Sequence, residues 1–529
     1  MGERLQGGGQ AEHAGLGGER GELGAQLGRR PSGQPTQRLG HPQPAADRVS
    51  EAGGDLGERL GAGRLLGEIR GDGHILPTPT RPRPYSRTYL FPPRRLEQML
   101  GLAGDLDIGH LLGYPQVRVR APSDSKNFLP RNVGIFGTVG SGKSNTVQVL
   151  MEEAVGAGWA AVVVDVEGEY VRMNEATTDS ALATLLGSEF GRDAEGVADF
   201  RVYVPSSGAS DADTPARFKV PIAEVQSHVL GDLLELSEPQ MRMLYPLLDK
   251  LSRDAPAHAR ARASAARRMP GISGGKTGTD DTNTDKAPRF TLQDVVDALD
   301  ESKDYQGGIK PKGTPEQSTA HALRQKMISL GLSGVLDWNA TRNSPYLPLR
   351  ELLAPGRLSV LDVSETDDRS RNICISYVLQ ALFDQVIGTS LGQVVTGTSY
   401  ERPPLLLVLE EVHTFVSRAT ASRMRAVLDQ LQIISRRGRK RWMGLALVSQ
   451  QPGHVPDELF ELANTRFIHQ LKSTSNLAPV KQTTGGVHDA LWSTVPSLGP
   501  GQCLLTGAVF RNPVFATVRP AASRRMLIN

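Results

Sequence analysis

From Val133 onward, short runs of consecutive apolar residues alternate with stretches whose apolar positions recur at helical spacing. The runs Val133–Phe136, Ala160–Asp165, Phe200–Val204, Leu358–Val363, Leu405–Leu409, Gly444–Ser449 and Phe467–Leu471 predict strands, with two more near Gln502–Thr506 and Val514–Val518. Uninterrupted apolar runs are what strands covered on both faces require, and their alternation with helices predicts an α/β protein with a mainly parallel sheet. Between Ile222 and Leu330 the strand pattern gives way to amphipathic stretches, Val229–Leu236, Pro239–Ser252, Leu292–Leu299 and Pro315–Leu330, which predict helices. The expected organisation is an α/β domain over 127–225 and 340–520, a helical insertion over 226–339 and a C-terminal tail over 521–529. The stretch Ala255–Pro288, rich in Ala, Arg, Gly, Thr and Asp, predicts a mobile loop inside the insertion.

The pattern fades at the N-terminus. Residues 1–85 are dense in glycine and arginine and nearly free of β-branched and aromatic residues, so they cannot bury enough apolar surface to offset chain entropy. They read as a disordered extension, or as an over-extended start with translation beginning near Met99. Residues 86–126 read as a short lead-in. Net charge is +3 over 529 residues, so overall charge does not mark a nucleic-acid binder, and any such contact must be a local patch. Cys374 and Cys503 lie far apart, without metal-ligand spacing, which excludes a disulfide scaffold and fits a reducing cytosol. No run of about 18 apolar residues predicts a membrane span, and a cytoplasmic location is expected.

Chemistry enters at Gly137-Thr138-Val139-Gly140-Ser141-Gly142-Lys143-Ser144, which matches G-x-x-x-x-G-K-[ST] between a predicted strand and the helical run Asn145–Ala157. Glycines let backbone amides converge on phosphate oxygens, and the following helix adds its positive end. Lys143 is expected on the β- and γ-phosphates and the Ser144 hydroxyl on Mg²⁺. The run Leu405–Leu409 ends in Glu410 and Glu411. A Mg²⁺-dependent hydrolase needs one acid near the metal and another to polarise the attacking water, and we expect Glu410 and Glu411 in those roles respectively. Asp165 and Glu167, in Asp165-Val-Glu167-Gly-Glu169-Tyr170, also follow an apolar strand. The carboxyl ends of parallel strands face the ligand crevice, which makes Asp165 a candidate metal ligand.

These residues, with ISRRGRKRWMGLALVSQQPGHVPDELFELANT further on, resemble the HerA class of the FtsK–HerA ATPase superfamily, in the same motif order from about Leu111 to Ala516. The resemblance implies a RecA-like P-loop NTPase that binds ATP and Mg²⁺, forms a homohexamer and translocates double-stranded DNA, commonly beside a nuclease such as NurA or, in bacterial relatives, an effector in phage defence. It implies nucleotide contacts over Gly137–Asn145, a γ-phosphate sensor at Gln450, and arginines acting across a subunit boundary at Arg439 and Arg131. The basic cluster around Arg439 reads equally as a solvated turn. The family's N-terminal β-barrel is missing, rewritten, or reduced to a remnant within 86–126. His413 reads first as a packing or capping histidine. A conjugation- or secretion-type ATPase, and an ATP-gated assembly platform for a partner effector, are the competing readings.

Overall fold

The computed structural model describes residues 39–41, 64–69, 75–76, 92–267, 290–300, 315–338, 346–388, 402–419 and 424–526. The chain forms two units, one of residues 1–102 with 510–512 and one of 103–509 with 513–529. The first holds three short antiparallel strands, β1 (Leu39–His41), β2 (Arg64–Ile69) and β3 (Ile75–Leu76), and helix α1 (Pro93–Leu100). The expectation of disorder throughout 1–85 is therefore corrected at these strands. The rest of 1–85 lies outside the described residues. Leu65, Leu66, Ile69, Ile75 and Leu76 form a local apolar pattern that the glycine-rich average conceals.

The second unit is built on one twelve-stranded sheet, ordered β5-β4-β15-β14-β13-β6-β12-β11-β7-β10-β8-β9. Eight strands run parallel: β13 (Thr465–Ile468), β6 (Val133–Phe136), β12 (Met443–Ser449), β11 (Leu405–Leu409), β7 (Ala160–Asp165), β10 (Leu358–Asp362), β8 (Phe200–Pro205) and β9 (Ala216–Phe218). Strands β14 (Gln502–Thr506), β15 (Val514–Val518), β4 (Leu106–Leu111) and β5 (Tyr114–Ala121) extend it antiparallel. Every residue of β6, β7, β10, β11 and β12 is buried, as continuous apolar runs under helices on both faces should be. Because these strands are parallel, Gly137, Asp165, Glu410, Ser449 and His469 follow or close their strands along one edge.

Residues 106–121 depart from the expected lead-in. They form a hairpin whose β4 pairs with β15, so they extend the sheet instead of forming a separate barrel remnant. The alternation in Tyr114–Ala121, with Val117, Val119 and Ala121 buried, is the signature of a strand covered on one face. The 521–529 tail is corrected too. Ala521, Ala522 and Ser523 are buried, Ser523 bridges Ala176, and the Met526 amide donates to the Glu169 carbonyl. Arg519 anchors this segment. It is fully buried and meets Glu152 at 2.8 Å and Glu153 at 2.9 Å. These glutamates belong to α2 (Lys143–Gly156), the helix that follows the Gly137–Ser144 loop.

The helical insertion contains α4 (Ser227–Leu233), α5 (Glu238–Arg267), α6 (Leu292–Ala298) and α7 (Pro315–Leu332), after α3 (Ser180–Phe190). Helix α5 runs through to Arg267, which corrects the expected loop over 255–267. Apart from Pro256, residues 255–267 are mostly Ala and Arg, which are good helix formers. Residues 268–289 lie outside the described residues. Leu244, Leu292, Val295, Leu323 and Met327 share one hydrophobic core with Val162, Leu405 and Leu407 of the sheet, so the insertion has no separate core. Its two ends are tied at buried Asp337, which accepts from the Ile222 amide at 2.9 Å. Burial, offset in part by that amide, raises the Asp337 carboxyl to about 7.

Candidate nucleotide site

The Gly137–Ser144 loop leaves β6 and turns into α2. Gly142 adopts φ +97°, and a Cβ there would meet the Gly501 amide nitrogen at 2.5 Å, so both backbone conformation and space demand glycine. The loop's base is braced from behind. The Thr138 amide and hydroxyl donate to the Gln470 carbonyl, each at 3.0 Å, and the Ser141 hydroxyl donates to the Thr138 carbonyl at 2.6 Å. His469, fully buried, meets the Thr146 hydroxyl and the Gln502 carbonyl, both at 2.9 Å. Burial pulls this imidazole down to about 4, so it is neutral at pH 7 and adds no charge behind the loop. The amides of Val139, Gly140, Gly142, Lys143, Ser144 and Asn145 donate to no protein acceptor among the described residues. That is the state of a cradle built to receive an anion. Val139, at the tip, is 82% exposed. The Asn145 side chain is engaged, donating to the Arg519 carbonyl and accepting from the Ala521 amide, both at 2.8 Å, so it ties the C-terminal segment to the loop.

Opposite the loop stands the end of β11. Glu411 takes φ 44°, ψ 49°, a left-handed conformation that costs a non-glycine residue and turns its side chain out of the strand's alternation. Its Oε1 accepts from Lys143 Nζ at 2.7 Å, with both side chains almost wholly buried. Its Oε2 meets His413 Nδ1 and the Gln450 amide, each at 3.1 Å. Burial alone would raise the Glu411 carboxyl, but His413 and the Lys143 ammonium outweigh it and hold the group at about 2. His413, read from the sequence first as a packing or capping histidine, contacts Glu411 directly. It lies in the 3₁₀ turn Val412–Thr414 and contacts the Ser449 hydroxyl at 3.3 Å, joining Glu411 to the end of β12. Its two-residue spacing from Glu411 was the available signal.

Glu410 has a different partner. Tyr170 Oη donates to Glu410 Oε1 at 2.8 Å, while Oε2 receives no hydrogen bond. Burial, with the Asp165 and Glu169 carboxylates nearby, pushes the Glu410 carboxyl well above the usual carboxylate range. Asp165 does not offer itself as a metal ligand, and this corrects the sequence expectation. Its Oδ1 accepts from the amides of Glu167, Gly168 and Glu169, and its Oδ2 from Tyr170 at 2.9 Å. Burial lifts it to about 7 despite those donors. An acid that closes a strand can cap the following loop as readily as face a ligand, and its position alone does not distinguish the two. Among the described residues no three His, Cys, Asp or Glu side chains form a metal cluster. Mg²⁺ held by one or two protein groups plus phosphates needs none.

The structure separates the two arginines from this crevice. Arg131 ends the 3₁₀ turn before β6, and Arg439 sits in the turn before β12, both at the strand ends away from Gly137 and Ser449. Seven residues of β12 span roughly 20 Å. Arg439 is held by its own chain, its Nε donating to the Lys126 carbonyl at 3.2 Å and its Nη2 to Asn127 Oδ1 at 2.8 Å. Neither arginine can therefore serve the nucleotide site of its own chain.

The family model for the central domain of the helicase HerA matches residues 106–382. The chain belongs to the HerA family. It is accordingly a P-loop NTPase. The HerA DNA double-strand break repair helicase of Pyrococcus furiosus is 21% identical over 505 residues, covering 89% of this chain and 80% of that one. A probable HerA helicase of the same description from Methanocaldococcus jannaschii is 24% identical over 468 residues, covering 87% and 85%. Among solved structures, VirB4 of Thermoanaerobacter pseudethanolicus is similar at 12% identity and a TM-score of 0.49, covering 79% of this chain and 96% of that one. The conjugative coupling protein TrwB, lacking its first 70 residues, is similar at 12% identity and a TM-score of 0.45, covering 82% and 94%. No helix among the described residues of this HerA-family chain is long and apolar enough to cross a membrane.

Proposed function

We propose that this protein is an ATP-driven double-stranded DNA translocase of the HerA type, acting as a hexameric ring beside a NurA-like nuclease or another effector in DNA end processing or phage defence. The observation that carries the ATPase chemistry is the buried Lys143–Glu411 pair beside a loop in which the amides of Val139, Gly140, Gly142, Lys143, Ser144 and Asn145 have no protein acceptor among the described residues. In this reading Lys143 binds the β- and γ-phosphates and the amides of Gly140, Gly142, Lys143, Ser144 and Asn145 cradle them. Ser144 and Glu410 would hold Mg²⁺, and Oε2 of Glu410, which receives no hydrogen bond, fits that task. Bound Mg²⁺ supplies neutralisation of charge on the phosphate oxygens. Glu411, ionised at neutral pH, orients the attacking water and takes its proton. Gln450, whose amide already meets Glu411, places its side chain amide to sense the γ-phosphate.

Arg439 and Arg131 act on the nucleotide of a neighbouring subunit in this proposal, which agrees with their distance from their own site. A charge supplied in trans stabilises the transition state only when the neighbour is docked, so turnover follows ring geometry. Arg439→Ala is expected to lower turnover at least about a hundredfold while sparing nucleotide affinity. Mixing it with Glu411→Gln should restore part of the activity, since some interfaces then pair an intact arginine with an intact glutamate. Absence of rescue at every mixing ratio would place the arginine's action within its own chain.

DNA as substrate is supported by the family and by the relatives named as DNA repair helicases. The test is phosphate release with and without linear duplex DNA. A several-fold rise in turnover is expected. Flat turnover, accompanied by ATP-dependent capture of the partner effector, would favour an assembly platform instead.

A further inference from the structure

We infer that Tyr170 is a positioning residue for the hydrolytic site, and that Asp165 builds the loop which delivers it. This inference rests on the proposed role of Glu410 and deepens it.

Two consecutive glutamates at the end of β11 must do different work with the same side chain. What separates them is their partners. Glu411 is drawn to Lys143. Glu410 is drawn to Tyr170, whose hydroxyl donates to Oε1 at 2.8 Å. Tyr170 is fully buried, so no bulk water competes for the hydroxyl that Glu410 receives. A fixed donor on Oε1 sets the carboxyl plane and leaves Oε2 as the oxygen with no hydrogen-bond donor. The Asp165 carboxyl also lies against the Glu410 carboxyl, and among the described residues no other N–H or hydroxyl donates to it.

The phenol can reach that point only because the loop after β7 doubles back. Asp165 accepts four amides in succession, from Glu167 to Tyr170, which winds the chain around one carboxyl group. Gly168 takes φ +73° within that turn, a conformation that favours glycine. The run Asp165-Val-Glu-Gly-Glu-Tyr170 is thus a single device. The acid folds the turn, the glycine allows it, and the tyrosine carries the result to Glu410. The metal role expected for Asp165 from its place at a strand end passes to the oxygen that Tyr170 orients.

Tyr170→Phe keeps the ring and removes only the donor. In the full-length protein this variant is expected to lose roughly tenfold in kcat, the scale of one hydrogen bond. The Mg²⁺ concentration giving half-maximal turnover should rise several-fold. Binding of a fluorescent ATP analogue in EDTA should stay within about twofold, and the melting temperature should hardly move. Combining Tyr170→Phe with Glu410→Gln should add little to the loss from Glu410→Gln alone, because both act through one oxygen pair. Wild-type kcat and Mg²⁺ dependence in Tyr170→Phe would overturn the inference. So would a fall in kcat with a lowered melting temperature and unchanged Mg²⁺ dependence, which would mark a packing role. Either result, obtained while Glu411→Gln is inactive, would leave the ATPase reading standing. An active Glu411→Gln would remove that reading itself.

Discussion

Lys143→Ala is expected to lower ATP turnover by about a thousandfold, the scale on which a charge fixed against a transferring phosphate contributes. The ammonium has no substitute. His469 behind the loop is neutral, and among the described residues no other lysine or arginine contacts Glu411. The same substitution has a second consequence that phosphate release does not report. It leaves Glu411, 1% exposed, as an ionised carboxylate with only His413 and the Gln450 amide to satisfy it. Stranding one member of a buried pair costs about 3–5 kcal/mol, so nucleotide-free Lys143→Ala should melt well below the wild type. The double variant Lys143→Ala/Glu411→Gln should recover much of that stability and none of the activity. Turnover near wild type in Lys143→Ala would dissolve the site assignment. A double variant no more stable than the single one would show that the pair contributes little to the resting protein.

Glu411→Gln is expected to cut the rate of hydrolysis by about two to four orders of magnitude, as loss of a general base does, while nucleotide still binds. Affinity should rise slightly or hold. The carboxylate no longer competes for Lys143, which the resting structure holds at 2.7 Å. Single-turnover hydrolysis and equilibrium binding of a labelled nucleotide separate the two effects. A variant that binds and cleaves normally would move the base to another residue, and one that neither binds nor cleaves would mean that Glu411 supports the loop instead of acting on water.

Much of this molecule can be read before it is folded, where the physics is local. The runs at Val133–Phe136, Ala160–Asp165, Leu405–Leu409, Gln502–Thr506 and Val514–Val518 coincide with β6, β7, β11, β14 and β15. A strand covered on both faces has no polar position to interrupt it. The hairpin 106–121 was less legible because β5 is covered on one face and carries Arg118 and Arg120 on the other. The continuation of α5 past Ala255 was obscured by composition that suits both a basic helix and a linker. At the site, the phosphate loop and the glutamate pair stand out as contiguous motifs. The contacts that distinguish the two glutamates do not, since Tyr170 lies 240 residues before Glu410 and Lys143 lies 268 before Glu411.

The order of residues along the chain settles that a phosphate cradle exists, which strands are buried, and that two acids close one of them. Each of these follows from neighbours in sequence, through backbone conformation and the two-residue period of a strand. Only the folded chain decides that Glu411 meets Lys143 while Glu410 meets Tyr170, that Asp165 spends its oxygens on its own loop, and that Arg131 and Arg439 lie beyond reach of their own cradle. Those outcomes depend on parallel strand order and on a left-handed turn at Glu411, which bring distant segments within hydrogen-bond range in directions that no local pattern encodes.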